Sequence, residues 1–210
     1  MPFDSLVFDL DGTLWDSCEP CAMAWNKVLF EAGIPYRTIL AEDVRAVTGK
    51  PHEECIRITF SNLTESQIMH LSEATMTEDN RMIDAMGGVL YDGVPEGLIQ
   101  LATTYKLFIV SNCQSGYIET FLRLNQFEQL FKDVECWGNT GRDKSANLQS
   151  IIDRNHLHSP IMIGDADGDE TAARTCEVPF AFVEYGFGMA KSPDLNFLSF
   201  RELTNYFLVN

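Results

Sequence analysis

Two carboxylates stand two residues apart where an apolar run ends, in Leu6-Val-Phe-Asp9-Leu-Asp11-Gly12-Thr13. On an extended strand, residues i and i+2 share a face, so Asp9 and Asp11 start out side by side. Like charges that close repel. The pair makes sense if a cation sits between them, or if one carboxylate attacks while the other moves a proton. Three further groups have chemistry to offer: Ser111-Asn112, Lys144, and the acidic run Gly164-Asp165-Ala166-Asp167-Gly168-Asp169. Singly, each has a plainer reading. D-x-D is a common turn sequence, Ser111-Asn112 could cap a helix over Gln114–Leu124, and an isolated lysine is usually on the surface. Neither acidic run fits a calcium loop. Counting from Asp165, Glu170 stands where glycine is needed and Cys176 where glutamate is needed; from Asp9, Pro20 takes the glutamate position.

The elements that must carry these residues divide the chain. Residues 3–10 read as a buried strand. From residue 16 to 85 the apolar period is helical, with Ala22, Trp25, Val28 and Leu29 forming one stripe, Gly33 and Gly49 as stops, and Thr64 with Gln67 as a capping box. No strand is expected in that stretch. After Gly87-Gly88, helices alternate with strands: Pro95 opens a helix, and Leu107–Val110, Asp133–Cys136, Ile161–Ile163 and Phe180–Val183 read as strands. Apolar strands alternating with helices imply an α/β fold with a parallel sheet covered on both faces. The expected organisation is a core of residues 1–15 and 86–210, with residues 16–85 inserted as a small α-helical bundle. In such sheets the ligand crevice lies beyond the carboxyl ends of the strands. Asp9, Asp11, Ser111, Lys144 and Asp165 all fall at that edge.

Composition limits the partners. The 210-residue chain carries 15 basic and 31 acidic residues, a net charge of −16 at pH 7. Its field repels nucleic acid and anionic membrane, so no partner of either kind is expected, and a small anion needs a local positive pocket. No apolar run reaches the length of a membrane span and no signal-peptide pattern is present, so a soluble cytoplasmic protein, monomer or weak dimer, is expected. The six cysteines, Cys18, Cys21, Cys55, Cys113, Cys136 and Cys176, are expected to be reduced. Cys18-Glu-Pro-Cys21 lacks the second pair of ligands a zinc site needs and reads as ordinary small residues at a helix start.

Together, D-x-D-G-T at Asp9–Thr13, Ser111, Lys144 and G-D-x-x-x-D at Gly164–Asp169 resemble, in order, the motifs of the haloacid dehalogenase-like hydrolase superfamily. The helical insert resembles the cap of the branch containing phosphoglycolate phosphatase and beta-phosphoglucomutase. The resemblance implies a Rossmann-like core and covers essentially the whole chain. It also implies roles. Asp9 is then the nucleophile that forms an aspartyl-phosphate, and Asp11 the general acid and base. Mg2+ is held by the carboxylates of Asp9 and Asp165 and the main-chain carbonyl of Asp11. Ser111, Asn112 and Lys144 bind phosphate, and Asp169 and Thr13 support that shell, Asp169 by orienting Lys144 or a metal-bound water. The extra Asp167 is expected to face solvent. Dehalogenating relatives lack the second aspartate, so Asp11 argues for phosphate chemistry.

Val47–Glu53 resembles the specificity loop of the cap, in which Gly49, Lys50 and His52 could meet an anionic leaving group. Trp15 could shape the pocket or belong to the core. The expected function is a magnesium-dependent phosphatase of a small phosphomonoester, phosphoglycolate or a sugar phosphate. The alternatives are a phosphomutase of the same fold and a non-catalytic module that senses phosphate or binds a partner.

Overall fold

In the computed structural model, which describes residues 3–209, the first strand lies inside a sheet rather than at its edge. Strand β1 is Ser5–Phe8. A short strand β2, Trp15–Asp16, leads into helices α1 (Cys18–Glu31), α2 (Ala41–Arg45), α3 (His52–Thr59) and α4 (Glu65–Met86). The chain returns through β3 (Val89–Leu90) and continues as α5 (Val94–Leu101), β4 (Lys106–Ser111), α6 (Tyr117–Asn125) and β5 (Phe131–Cys136). Then follow α7 (Trp137–Thr140), α8 (Lys144–Asn155), β6 (Pro160–Gly164), α9 (Asp167–Thr175), β7 (Phe180–Val183), β8 (Leu195–Phe197) and α10 (Phe200–Val209).

Six strands form one sheet in the order β5-β4-β1-β6-β7-β8, and every pairing is parallel. The period of two sorts the side chains onto opposite faces. Leu6 and Phe8, Leu107 and Ile109, and Ile161 and Ile163 belong to one core cluster, which continues into α5, α6 and α10 through Leu98, Phe121 and Phe207. Val7, Phe108, Val110 and Met162 face the other way, onto Leu148 and Ile151 of α8 and Ala172 and Ala173 of α9. A sheet apolar on both sides must be covered on both sides, which is the α/β architecture the alternating pattern implies. From β1 the chain first crosses to β4 and β5 on one flank, then to β6, β7 and β8 on the other. The crevice at this reversal opens beyond the carboxyl ends of β1, β4 and β6.

The helices between residues 18 and 86 pack on one another. Val28 and Leu29 are buried with Trp25 along α1, and the Trp25 ring lies 5.9 Å from that of Phe60. The capping box at α4 is present: Thr64 Oγ1 accepts from the Gln67 N–H, and Gln67 Oε1 accepts from the Thr64 N–H at 3.0 Å. Two features differ from the pattern-based reading. The helix expected at Gln114 begins at Tyr117, because Gly116 takes a left-handed φ of 84° and the chain enters the helix only after it. Strands β2, β3 and β8 were not expected, being too short to display a period; β2 and β3 pair antiparallel, Trp15 with Leu90 and Asp16 with Val89.

Candidate active site

Asp9 directly follows β1 and stays in register with the sheet, its N–H donating to the Ile163 carbonyl at 2.8 Å. The extended conformation ends there. Leu14 N–H returns to the Leu10 carbonyl at 2.9 Å and Gly12 has φ of 82°, so the period of two does not extend to Asp11. The two carboxylates consequently turn to different partners. Asp9 Oδ1 accepts from Lys144 Nζ at 2.8 Å, and the same ammonium donates to Asp169 Oδ1 at 2.6 Å. Asp11 Oδ1 accepts from Tyr117 Oη at 2.5 Å and from Ser17 Oγ at 3.0 Å.

Local structure brings each group to the edge. Asp143 caps α8 by accepting from the Ala146 N–H at 2.8 Å, which sets Lys144 at the first turn facing inward. Asp169 sits in the first turn of α9 and also accepts from the Ala166 N–H at 3.0 Å. Asp165 follows β6, and its Oδ2 accepts from the N–H groups of Phe187 and Gly188 at 2.7 and 3.2 Å. That loop approaches so closely that a Cβ on Gly186 would lie 2.2 Å from Asp165 Cβ and 2.5 Å from the Gly12 carbonyl. Gly186→Ala is therefore expected to destabilise the fold by about 1–3 kcal/mol through overpacking. A urea midpoint unchanged from the wild type would show that the loop yields freely.

Ligand oxygens of Asp9, Asp165 and Asp169 lie within 4.8 Å of one another, and all three residues are buried. Burial drives the Asp9 carboxyl well above the usual range, and Asp169 and Asp165 add to this against the opposing pull of Lys144. Asp165 is pushed up to about 7 by burial and by Asp169. Burial alone would lower the Lys144 ammonium, but Asp169 and Asp9 outweigh it and hold it above the usual lysine range. With one ammonium for three carboxylates, ionising all three would leave net negative charge in a buried space. A hard, oxygen-seeking dication fits this donor set.

Burial pushes Asp11 up to about 6, against the hydrogen bonds from Tyr117 and Ser17. Its folded value thus exceeds the unfolded one. Its contribution to stability is fully present below about pH 4 and is lost as pH rises through 6. In metal-free buffer, Asp11→Asn is expected to gain up to about 3 kcal/mol over the wild type between pH 4 and pH 7. Unfolding free energies whose difference stays constant over that range would contradict this.

Ser111 is buried, its Oγ accepting from the Cys113 N–H at 3.2 Å, and Asn112 Nδ2 donates to the Gly49 carbonyl at 2.8 Å. Thr13 is buried, with Oγ1 unpartnered among the described residues. Asp167 is exposed at the start of α9. Trp15 packs edge-on against Phe121 with centroids 4.9 Å apart and belongs to the core. Lys50 is exposed, with Nζ 3.6 Å from Glu54. His52 is not in an open loop: it begins α3, and its ring points inward, Nε2 lying 2.9 Å from Thr75 Oγ1 and Nδ1 3.5 Å from Asp79 Oδ2. Burial lowers it to about 4, so at neutral pH it carries no charge toward an anion.

One pocket joins these groups, lined by Asp9, Asp11 and Ser111 at the sheet and by Gly49, His52 and Asp79 of the helical insert. Tyr117 and Asp79, which sequence reasoning missed, both line it. Further contacts tie the insert to the sheet edge. Arg45 pairs with Asp16 at 2.7 Å and lies 5.4 Å over the Phe187 ring, and Asn80 Nδ2 donates to the Ser115 carbonyl at 2.9 Å. All six cysteines are free, and no described helix is long and apolar enough to cross a membrane.

Fold and pocket together define an α/β enzyme that works at the carboxyl edge of a parallel sheet beneath a helical insert. Residues 6–183 match the family model of the haloacid dehalogenase-like hydrolases, and the chain belongs to that family. It is 27% identical to the phosphoglycolate phosphatase of Colwellia psychrerythraea over 94% of each chain. To that of Vibrio parahaemolyticus it is also 27% identical, over 94% of this chain and 93% of the relative. A haloacid dehalogenase-like hydrolase from Streptococcus pneumoniae superposes with a TM-score of 0.85 at 22% identity, covering 98% of this chain and 99% of its own. The phosphatase expected from Asp11 agrees with the names of the curated relatives.

Proposed function

We propose that this hydrolase is a magnesium-dependent cytoplasmic phosphatase that cleaves a small phosphomonoester through an aspartyl-phosphate on Asp9. The core of residues 1–15 and 86–210 would supply the chemistry, and residues 16–85 would act as a cap. The observation that carries this reading is the buried cluster in which Lys144 bridges Asp9 and Asp169 beside Asp165. Asp9 and Asp165, with the Asp11 carbonyl, would hold the ion. When bound, magnesium offsets the charge of the phosphoryl oxygens.

In the proposed mechanism an Asp9 oxygen attacks phosphorus as the ester P–O bond breaks, and Asp11 gives its proton to the leaving alkoxide. Asp11 then takes a proton from the water that attacks the aspartyl-phosphate, releasing phosphate and restoring Asp9. An acid pushed up to about 6 suits both halves of that cycle, being able to hold and release a proton near neutrality. Tyr117 and Ser17 orient its carboxyl group. Lys144 and Ser111 would bind phosphoryl oxygens and keep them in line for transfer.

Phosphate release from a panel of small phosphomonoesters, with magnesium and with chelator, tests the reading. Metal-dependent release is expected, with a magnesium-induced rise in unfolding temperature that chelator reverses. Folded protein that neither shifts with magnesium nor releases phosphate from any compound would refute it.

A further inference from the structure

Two residues lining the pocket, one on the insert and one at the sheet edge, carry unpartnered oxygens. Asp79, on α4, is 2% exposed; its Oδ2 accepts from Trp25 Nε1 at 3.2 Å, while its Oδ1 has no hydrogen-bond partner among the described residues. Asn112, across the pocket, commits Nδ2 to the Gly49 carbonyl and leaves Oδ1 equally unpartnered. Buried acceptors without donors are rare in folded proteins, and both of these residues line the cavity that holds Asp9 and Asp11. Such an arrangement calls for hydrogen-bond donors on whatever occupies the cavity.

Charge narrows the choice. Apart from neutral His52, the lining offers one basic side chain, Lys50, which is exposed and lies near Glu54. Lys144 is occupied by Asp9 and Asp169. A carboxylate on the leaving group would thus be desolvated beside Asp79 with no buried cation to meet it. A hydroxyl both donates and accepts, so it satisfies Asp79 whether or not that carboxyl holds a proton.

We propose that Asp79 and Asn112 select a leaving group bearing hydroxyls, a polyol or sugar phosphate, and disfavour one bearing a carboxylate, such as phosphoglycolate. This rests on the phosphatase reading for turnover, but not for binding.

The test compares 2-phosphoglycolate with 2-hydroxyethyl phosphate, which differ only in a carboxylate against a hydroxymethyl group. In the wild type with magnesium, kcat/KM is expected to favour the hydroxyl compound at least tenfold. Asp79→Leu, which removes the acceptor, should shrink that ratio at least fivefold. The ratio is read within one protein, so a general loss of activity cancels. Preference for phosphoglycolate in the wild type, or a ratio untouched in the folded Asp79→Leu variant, would overturn the proposal. If p-nitrophenyl phosphate is not hydrolysed either, the phosphatase reading fails separately. Calorimetric binding of the same two esters to Asp9→Asn then decides the selectivity, a tenfold tighter hydroxyl compound supporting it and equal or reversed affinities overturning it.

Discussion

Asp9→Asn lowers phosphate release by at least about 10^4-fold while leaving the protein folded: this is the expected result of exchanging a nucleophilic carboxylate for a nearly isosteric amide. The argument for survival of the fold comes from the surroundings. Asp9 is buried beside Asp165 and Asp169, both of which disfavour its ionised form, so a neutral side chain relieves repulsion there. The same change withdraws one of the two carboxylates that Lys144 contacts, but Asp169 retains the ammonium at 2.6 Å. Steady-state rates with metal present, alongside a cooperative thermal transition, check both halves. Comparable rates for variant and wild type would remove Asp9 from the nucleophile's role.

Lys144→Met is expected to have the largest effect on stability. Its Nζ is the cation shared by Asp9 and Asp169, and all three side chains are at most 5% exposed. Breaking a buried ion pair from one side leaves uncompensated charge and costs about 3–5 kcal/mol. The pH dependence has a definite sign. Without the ammonium, the Asp9 carboxyl, already raised by burial, rises further. A carboxyl raised above its unfolded value contributes stability that is present at low pH and lost as pH increases. In chelator, the deficit relative to wild type should therefore be smaller near pH 4 than at a pH high enough to ionise the wild-type Asp9 carboxyl. Urea unfolding at the two values tests this; equal deficits would mean that methionine costs packing rather than charge balance. Activity should also fall by about 10^2–10^3 if the lysine stabilises transferring phosphoryl oxygens.

The parallel sheet and the convergence of Asp9, Ser111, Lys144 and Asp165 were legible in the sequence because strand ends of one sheet must share an edge. What was hidden depends on contacts between distant segments. Asp79 lies on α4 near Glu78 and Asp84, and nothing in the local pattern separates it from these neighbours. Only packing against Trp25 and His52 turns it inward. Tyr117 is one residue past a glycine whose left-handed conformation delays the helix, so a helix drawn from Gln114 misplaces its face. His52 was legible as part of the loop near the site but not in its direction. The helix begins at that residue, whose ring faces Thr75 of α4 rather than solvent. The loop over Asp165 carries its information in Gly186 and Gly188, where the requirement is for absent side chains, and absence has no chemical signature in a single chain.

The two-residue ribbon of Trp15–Asp16 against Val89–Leu90 has a consequence for how such an enzyme can diverge. It brings the start and finish of the whole helical excursion side by side, so the sheet experiences that excursion as little more than a tight turn. Helices can be lengthened, exchanged or rebuilt beyond the ribbon without shifting the register of β1 between β4 and β6. The strand that presents Asp9 and the helices that present Asp79 can thus change at independent rates, with an old reaction retained while its clientele is replaced.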